Sequence, residues 1–153
     1  MRRPEKEVTD RASLEEILRS SPVLALALRD RLAPYVVPVC FGQEGDTLYI
    51  HSALAGTKID LLQADPVVGF CACSPVTIAS GKTACSSTAS GSSVVGTGRA
   101  RIVTDEAERL RGLDAIMRHY GEQDSRSPVY RPESLSRTCV IAVHVDTLHG
   151  KRV

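Results

Sequence analysis

Three apolar runs follow one another with little between them, and that spacing restricts the folds open to the chain. They are Val23-Leu24-Ala25-Leu26-Ala27-Leu28, Pro34-Tyr35-Val36-Val37-Pro38-Val39-Cys40-Phe41 and Thr47-Leu48-Tyr49-Ile50-His51-Ser52-Ala53. Each has the length and residue types of a strand. The intervening residues 29–33 and 42–46 leave no room for a crossover helix, so the runs form an antiparallel meander. The first reads as a continuous buried strand. Pro34 and Pro38 cannot donate to a ladder, which places the second at an edge or a bulge with free backbone groups. Gly42 to Asp46 reads as a hairpin turn.

The third run leads into a short loop and the first turns of a helix. Ile59, Leu61 and Leu62 take up helical spacing after Gly56-Thr57-Lys58, with Thr57 the expected N-cap and Asp60 completing an approximate capping box. A helix start has outward N–H groups that attract anions, and Lys58 adds a full positive charge beside them. His51 and Ser52 leave the strand towards the same corner. The group suits a phosphate, although a helix start that happens to carry a lysine explains the spacing equally well.

The rest of the chain adds further strands and helices without βαβ alternation. Ser13-Leu14-Glu15-Glu16 reads as a capping box for a helix with Leu14, Ile17 and Leu18 on its apolar face. Val67 to Cys73 and Val94 to Val103 are strands, the glycines of the second allowing a bend. Between them a Ser-, Thr-, Ala- and Gly-rich stretch holds a weak strand near Val76–Ala79 and a mobile loop through Ser92. Asp105 to Tyr120 is helical, with Leu110, Leu113, Met117 and Tyr120 in register and Gly121 at C′. A polar loop over 122–131, a helical turn near Pro132–Leu135 and a strand from Thr138 to Val145 complete the chain. About six strands and two or three helices give a mainly β (α+β) class, an antiparallel barrel with peripheral helices. At 153 residues the whole chain, 1–153, reads as one domain.

Composition narrows the function classes. A formal charge of +1 leaves no footprint for nucleic acid, and no apolar run reaches membrane-span length. The five cysteines are scattered and odd in number, which fits a reducing cytoplasm. With no Trp, a flat ligand must be held by backbone and aliphatic groups. Ser80-Gly81-Lys82-Thr83 imitates the end of a P-loop, but Val76 stands where its first glycine belongs. Gly96-Thr97-Gly98 begins a dinucleotide fingerprint that Arg101 breaks. Cys71 and Cys73 share a strand face, yet C-x-C without a second pair or a nearby His is poor zinc spacing, so no metal is expected. No G-x-S-x-G elbow supports a hydrolase.

Pro34 to Val39, Thr47 to Ala53 and Gly56-x-Lys58-x-Asp60-Leu61-Leu62 resemble the nitroimidazole-resistance group of the pyridoxamine 5′-phosphate oxidase-like flavin-binding superfamily. Arg2-Arg3 through Val8-Thr9-Asp10, Gly96 to Ala100 and Met117-Arg118-His119-Tyr120 fit the same resemblance. It implies a split β-barrel, a homodimer and FMN at the subunit interface. It further implies cofactor contacts from Tyr35, Val36, Val37, Pro38, Ile50, His51, Ser52, Thr57, Lys58, Ser92 and Ser93. One departure stands out: relatives usually carry an aromatic residue and an arginine before Ser-Val, where this chain has Gly91 and Ser92. That removes a bidentate partner for phosphate or reduced flavin.

The function this implies is an FMN-dependent oxidoreductase, nitroreductase-like, passing electrons from a nicotinamide or another donor to a small organic acceptor. His51 is the candidate proton donor, since imidazole exchanges protons near neutral pH. The alternative is a non-catalytic flavin-binding sensor or carrier. A weaker third possibility is a barrel holding haem or a deazaflavin.

Overall fold

The structure, a computed structural model, describes residues 3–121 and 129–152. Arg2 and most of the polar loop expected over 122–131 lie outside the described residues. One sheet contains β1 (Glu7–Val8), β2 (Leu24–Leu28), β3 (Tyr35–Val39), β4 (Phe41–Glu44), β5 (Thr47–Ala53), β6 (Val67–Cys73), β9 (Ser92–Ile102) and β10 (Thr138–Arg152). A separate ribbon pairs β7 (Thr77–Ala79) with β8 (Thr88–Ser90). The helices are α1 (Arg11–Ser20), α2 (Thr57–Ala64), α3 (Glu106–His119) and α4 (Pro132–Leu135).

The sheet runs β3-β2-β6-β9-β10-β5-β4, with β1 added beside β10, and every pair is antiparallel. Consecutive strands β3 and β4 occupy the two ends of that path, joined by Cys40 alone. The sheet therefore curls round until its ends meet without pairing, which is a split antiparallel barrel. The expected meander survives as two hairpins, β2–β3 and β4–β5, but the second run is two strands instead of one. Val39 and Phe41 are buried and Cys40 is exposed, so inward–outward alternation continues through the corner while the hydrogen-bond partner changes.

Alternation sets the core. Leu24, Leu26 and Leu28 point inward, while Ala25 and Ala27 are half-buried on the outer face. This strand is fully buried on one face only, not continuously as the sequence suggested. Leu48 and Ile50, Val68 and Phe70, and Ile141 and Val143 fill the same interior. Leu14, Ile17 and Leu18 of α1 and Ile59 and Leu62 of α2 join them. The α1 cap is Asp10, whose Oδ2 accepts from Ser13 N at 2.9 Å, so the helix starts before the expected capping box at Ser13.

A second core lies outside the barrel, where α3 covers β4, β5 and β10 with Tyr49, Val140, Ala142, Ala115 and Ile116. The buried face of α3 is Gly112, Ala115 and Ile116; the expected stripe of Leu110, Leu113 and Met117 is only half-buried and Tyr120 is exposed. Close approach explains the change. A Cβ placed on Gly42 would lie 2.2 Å from the Ala115 carbonyl carbon. The end of α3 is pinned as well: Tyr120 Oη accepts from Phe41 N at 3.2 Å and donates to Pro22 O at 2.9 Å, and His119 stacks on Phe41 at 4.3 Å.

At Gly96 and Gly98 of β9, where the sequence suggested a bend, a Cβ would run into Phe70 and the His144 carbonyl, so close packing requires both glycines. The β9–β10 register slips between Val145 and Thr147, opposite Gly98 and Thr97. The Ser- and Thr-rich stretch is more ordered than the expected loop, since β7 and β8 pair across it. No helix among the described residues is long and apolar enough to cross a membrane.

Replacing Gly42 with Ala forces backbone of α3 away from the sheet. The expected cost is about 1–3 kcal/mol or somewhat more, the usual range for overpacking. It is read as a lower urea midpoint at unchanged m-value.

Candidate functional site

Strand β5 ends and helix α2 begins within four residues, Ala53 to Thr57. The N-cap is Gly56, not the expected Thr57, and no side chain caps the helix. Gly56 has φ +123°, a conformation that favours glycine, and Thr57 is the first helical residue. Gly56 O accepts from Ile59 N at 2.8 Å and Asp60 N at 3.1 Å, so the N–H groups of Thr57 and Lys58 remain at the open end.

Beside that end stands Lys58, half-buried. Burial lowers its pKa, opposed only by the Cys139 thiol. Among the described residues no carboxylate bridges it. Cys139 was not anticipated from the sequence. It pairs with Ser52 across β10 and β5, is buried, and donates from Sγ to Ala53 O at 3.2 Å. Burial pushes its thiol up, while the Lys58 charge and the Ser52 hydroxyl pull it back. The thiol thus stays neutral at physiological pH and gives Lys58 no counter-charge. A desolvated ammonium beside unpaired N–H groups forms a socket for an anion.

The other expected residues are distributed more widely. His51 and Ser52 do not face one corner: Ser52 meets Cys139, and His51, next in the alternation, is exposed on the other face of β5. Ile50 is fully buried in the barrel core. On β3, Tyr35 and Val37 pack towards the core, while Val36 is 58% exposed and Pro38 projects outward with it. Ser92 and Ser93 start β9, where Ser92 N donates to Ser74 Oγ at 2.8 Å. They pair with Arg152 and Lys151, at the opposite end of β10 from Cys139. Within one chain, Ser52, Thr57 and Lys58 form one group, and Ser92 and Ser93 another.

A family model described as pyridoxamine 5′-phosphate oxidase matches residues 10–152. The chain belongs to this family. A candidate 5-nitroimidazole antibiotic resistance protein from Bacteroides thetaiotaomicron is 30% identical, with TM-score 0.83 over 95% of this chain and 86% of that one. The flavocytochrome Anf3 of Azotobacter vinelandii shares the family fold at 22% identity and TM-score 0.77, over 96% of this chain and 69% of the other. A FAD and heme binding protein from Mycobacterium smegmatis does so at 22% identity and TM-score 0.80, over 95% and 72%. No curated protein is similar enough to count as a match.

Because Lys58 is harder to protonate folded than unfolded, its charge opposes folding below its lowered pKa. That cost fades as pH rises from the lowered value to the ordinary 10.5. Lys58→Met is therefore expected to be more stable than the wild type at neutral pH, with the difference closing above pH about 10. Paired urea titrations across that range measure it.

Proposed function

We propose that the chain is a flavoprotein binding FMN, with the terminal phosphate held by Lys58, Ser52, Thr57 and the N-terminus of α2. The half-buried ammonium, without a carboxylate partner among the described residues, carries this reading. The donor set fits a phosphate monoester: one cation, two hydroxyls and free backbone N–H groups. FAD would place a pyrophosphate there, with a single negative charge on each phosphate instead of nearly two on one. Outward-facing Val36 and Pro38 give a flat ring system an apolar surface on β3, and Tyr35, Val37 and Ile50 fix the strands that present it.

We assign Ser92 and Ser93 to the same cofactor through a second copy of the chain, because within one chain they pair at the far end of β10 from Cys139. Their partners on β10 lie about 40 Å of strand from Cys139, at about 3.3 Å per residue. This supports a homodimer with FMN between subunits. Bound flavin supplies two-electron transfer from a nicotinamide or another donor to a small organic acceptor, including nitro compounds. His51, an exposed imidazole at the end of β5, is assigned the proton. Five free thiols support a cytoplasmic setting.

Flavin fluorescence quenching tests the reading. FMN should bind more tightly than FAD, and Lys58→Ala should weaken FMN about ten- to hundredfold, the loss of one charge-assisted hydrogen bond. Wild-type protein that ignores FMN, or a Lys58→Ala protein that binds it undiminished, ends the proposal. Bound FMN that no nicotinamide reduces identifies a carrier instead of an enzyme.

A further inference from the structure

A polar cavity of about 370 Å³ lies between α1, the β4–β5 turn and the last turn of α3. It sits at the start of β5, whereas the Lys58 corner lies beyond that strand's other end, so the flavin reading does not use it. His119 and the buried Ala115 belong to its walls, and His119 is already committed, its Nε2 donating to Ser21 O at 2.9 Å.

The charges around the cavity are unevenly matched. Arg11 faces two carboxylates at once, Glu15 through Nε at 2.6 Å and Asp46 through Nη2 at 2.5 Å, which leaves one negative charge over. Glu15 uses only Oε1 in that contact, and its side chain lines the cavity half-buried. Gln43 donates from Nε2 to Gly45 O at 3.0 Å and keeps its own amide oxygen as an acceptor. At the rim stand Arg19 and Arg118, both exposed. Arg118 approaches Glu44 at 3.4 Å, while Arg19 has no ion pair among the described residues. Each arginine belongs to the last turn of its helix, where the helix dipole favours a cation. Glu15 and Arg19 are suited to an i, i+4 pair, yet Glu15 turns back to Arg11. The cavity thus offers an excess of negative charge on one side and a lone guanidinium on the other, separated by about 6 Å of rise along α1.

We propose that this cavity binds a small ω-amino acid, its ammonium on Glu15 and Gln43 and its carboxylate on Arg19 and Arg118. A zwitterion matches both ends, whereas an anion or a cation of the same length satisfies one and leaves its other end beside an unanswered charge. Guanidinium suits the carboxylate in particular, since its fork can donate to both oxygens. The site is independent of the cofactor.

The test is isothermal titration calorimetry on the full chain at low salt, where charge pairs near the surface are least screened. The probes are 5-aminovalerate, hexanoate and pentylamine, the last two replacing one charged end by a methyl group. Wild-type protein should bind 5-aminovalerate at least tenfold more tightly than either, as loss of a charge-assisted hydrogen bond implies. Glu15→Gln should bind 5-aminovalerate no better than hexanoate, and Arg19→Met no better than pentylamine. Lys58→Ala should bind it as the wild type does, which separates this site from the flavin corner. Circular dichroism confirms that each variant is folded, and the wild-type comparison decides alone should one fail to fold. Wild-type protein that ignores 5-aminovalerate or binds all three probes alike overturns the proposal, as do preference retained in both Glu15→Gln and Arg19→Met and binding lost in Lys58→Ala.

Discussion

Strand β10 is the member on which the architecture depends. Its first half is hydrogen-bonded to β5 on one edge and to β9 on the other, and its second half passes from β5 to β1 as the barrel turns. Every residue of the strand except Asp146 is paired on at least one edge, and Ile141 to His144, Gly150 and Lys151 are paired on both. Ile141 and Val143 serve the barrel interior, and Val140 and Ala142 serve the layer beneath α3. One strand therefore ties two cores together. The slip near Asp146 lets it follow the barrel's curvature without losing its neighbours.

The candidate site inherits its geometry from this arrangement. Ser52 and Cys139 meet because β5 ends where the antiparallel β10 begins, and α2 starts soon after β5, with Ile59 and Leu62 anchored in the barrel. The Lys58 ammonium is held beside open N–H groups by that anchoring. Burial makes its charge costly, and the nearby thiol does not offset it at neutral pH. An opposite charge brought beside that ammonium would offset the cost of burying it.

Much of this was legible in the residues. Alternating apolar strands and the order of the motifs yielded the barrel class and the family, and a lysine at a helix start marked the corner where Ser52, Thr57 and Lys58 come together. What remained hidden was mostly long-range. Cys139 joins the corner through pairing with a strand some eighty-seven positions earlier (139 against 52), and no local pattern announces that. The break at Cys40 was invisible because alternation continues through it. On α3, large apolar residues attracted attention, whereas the intimate contact uses Gly112 and Ala115, whose value lies in being small. At α2, glycine rather than threonine precedes the first turn, so a side-chain cap was expected where the backbone is left open.

The β7–β8 ribbon joins the barrel through a narrow neck, where Ser74 and Ser92 exchange hydrogen bonds, and all residues of its two strands are exposed. Its length and chemistry are therefore uncoupled from the folding of the remainder. A longer ribbon, or one with larger side chains, would be felt at the neck and hardly at all in the barrel, because no residue of β7 or β8 is buried in the core.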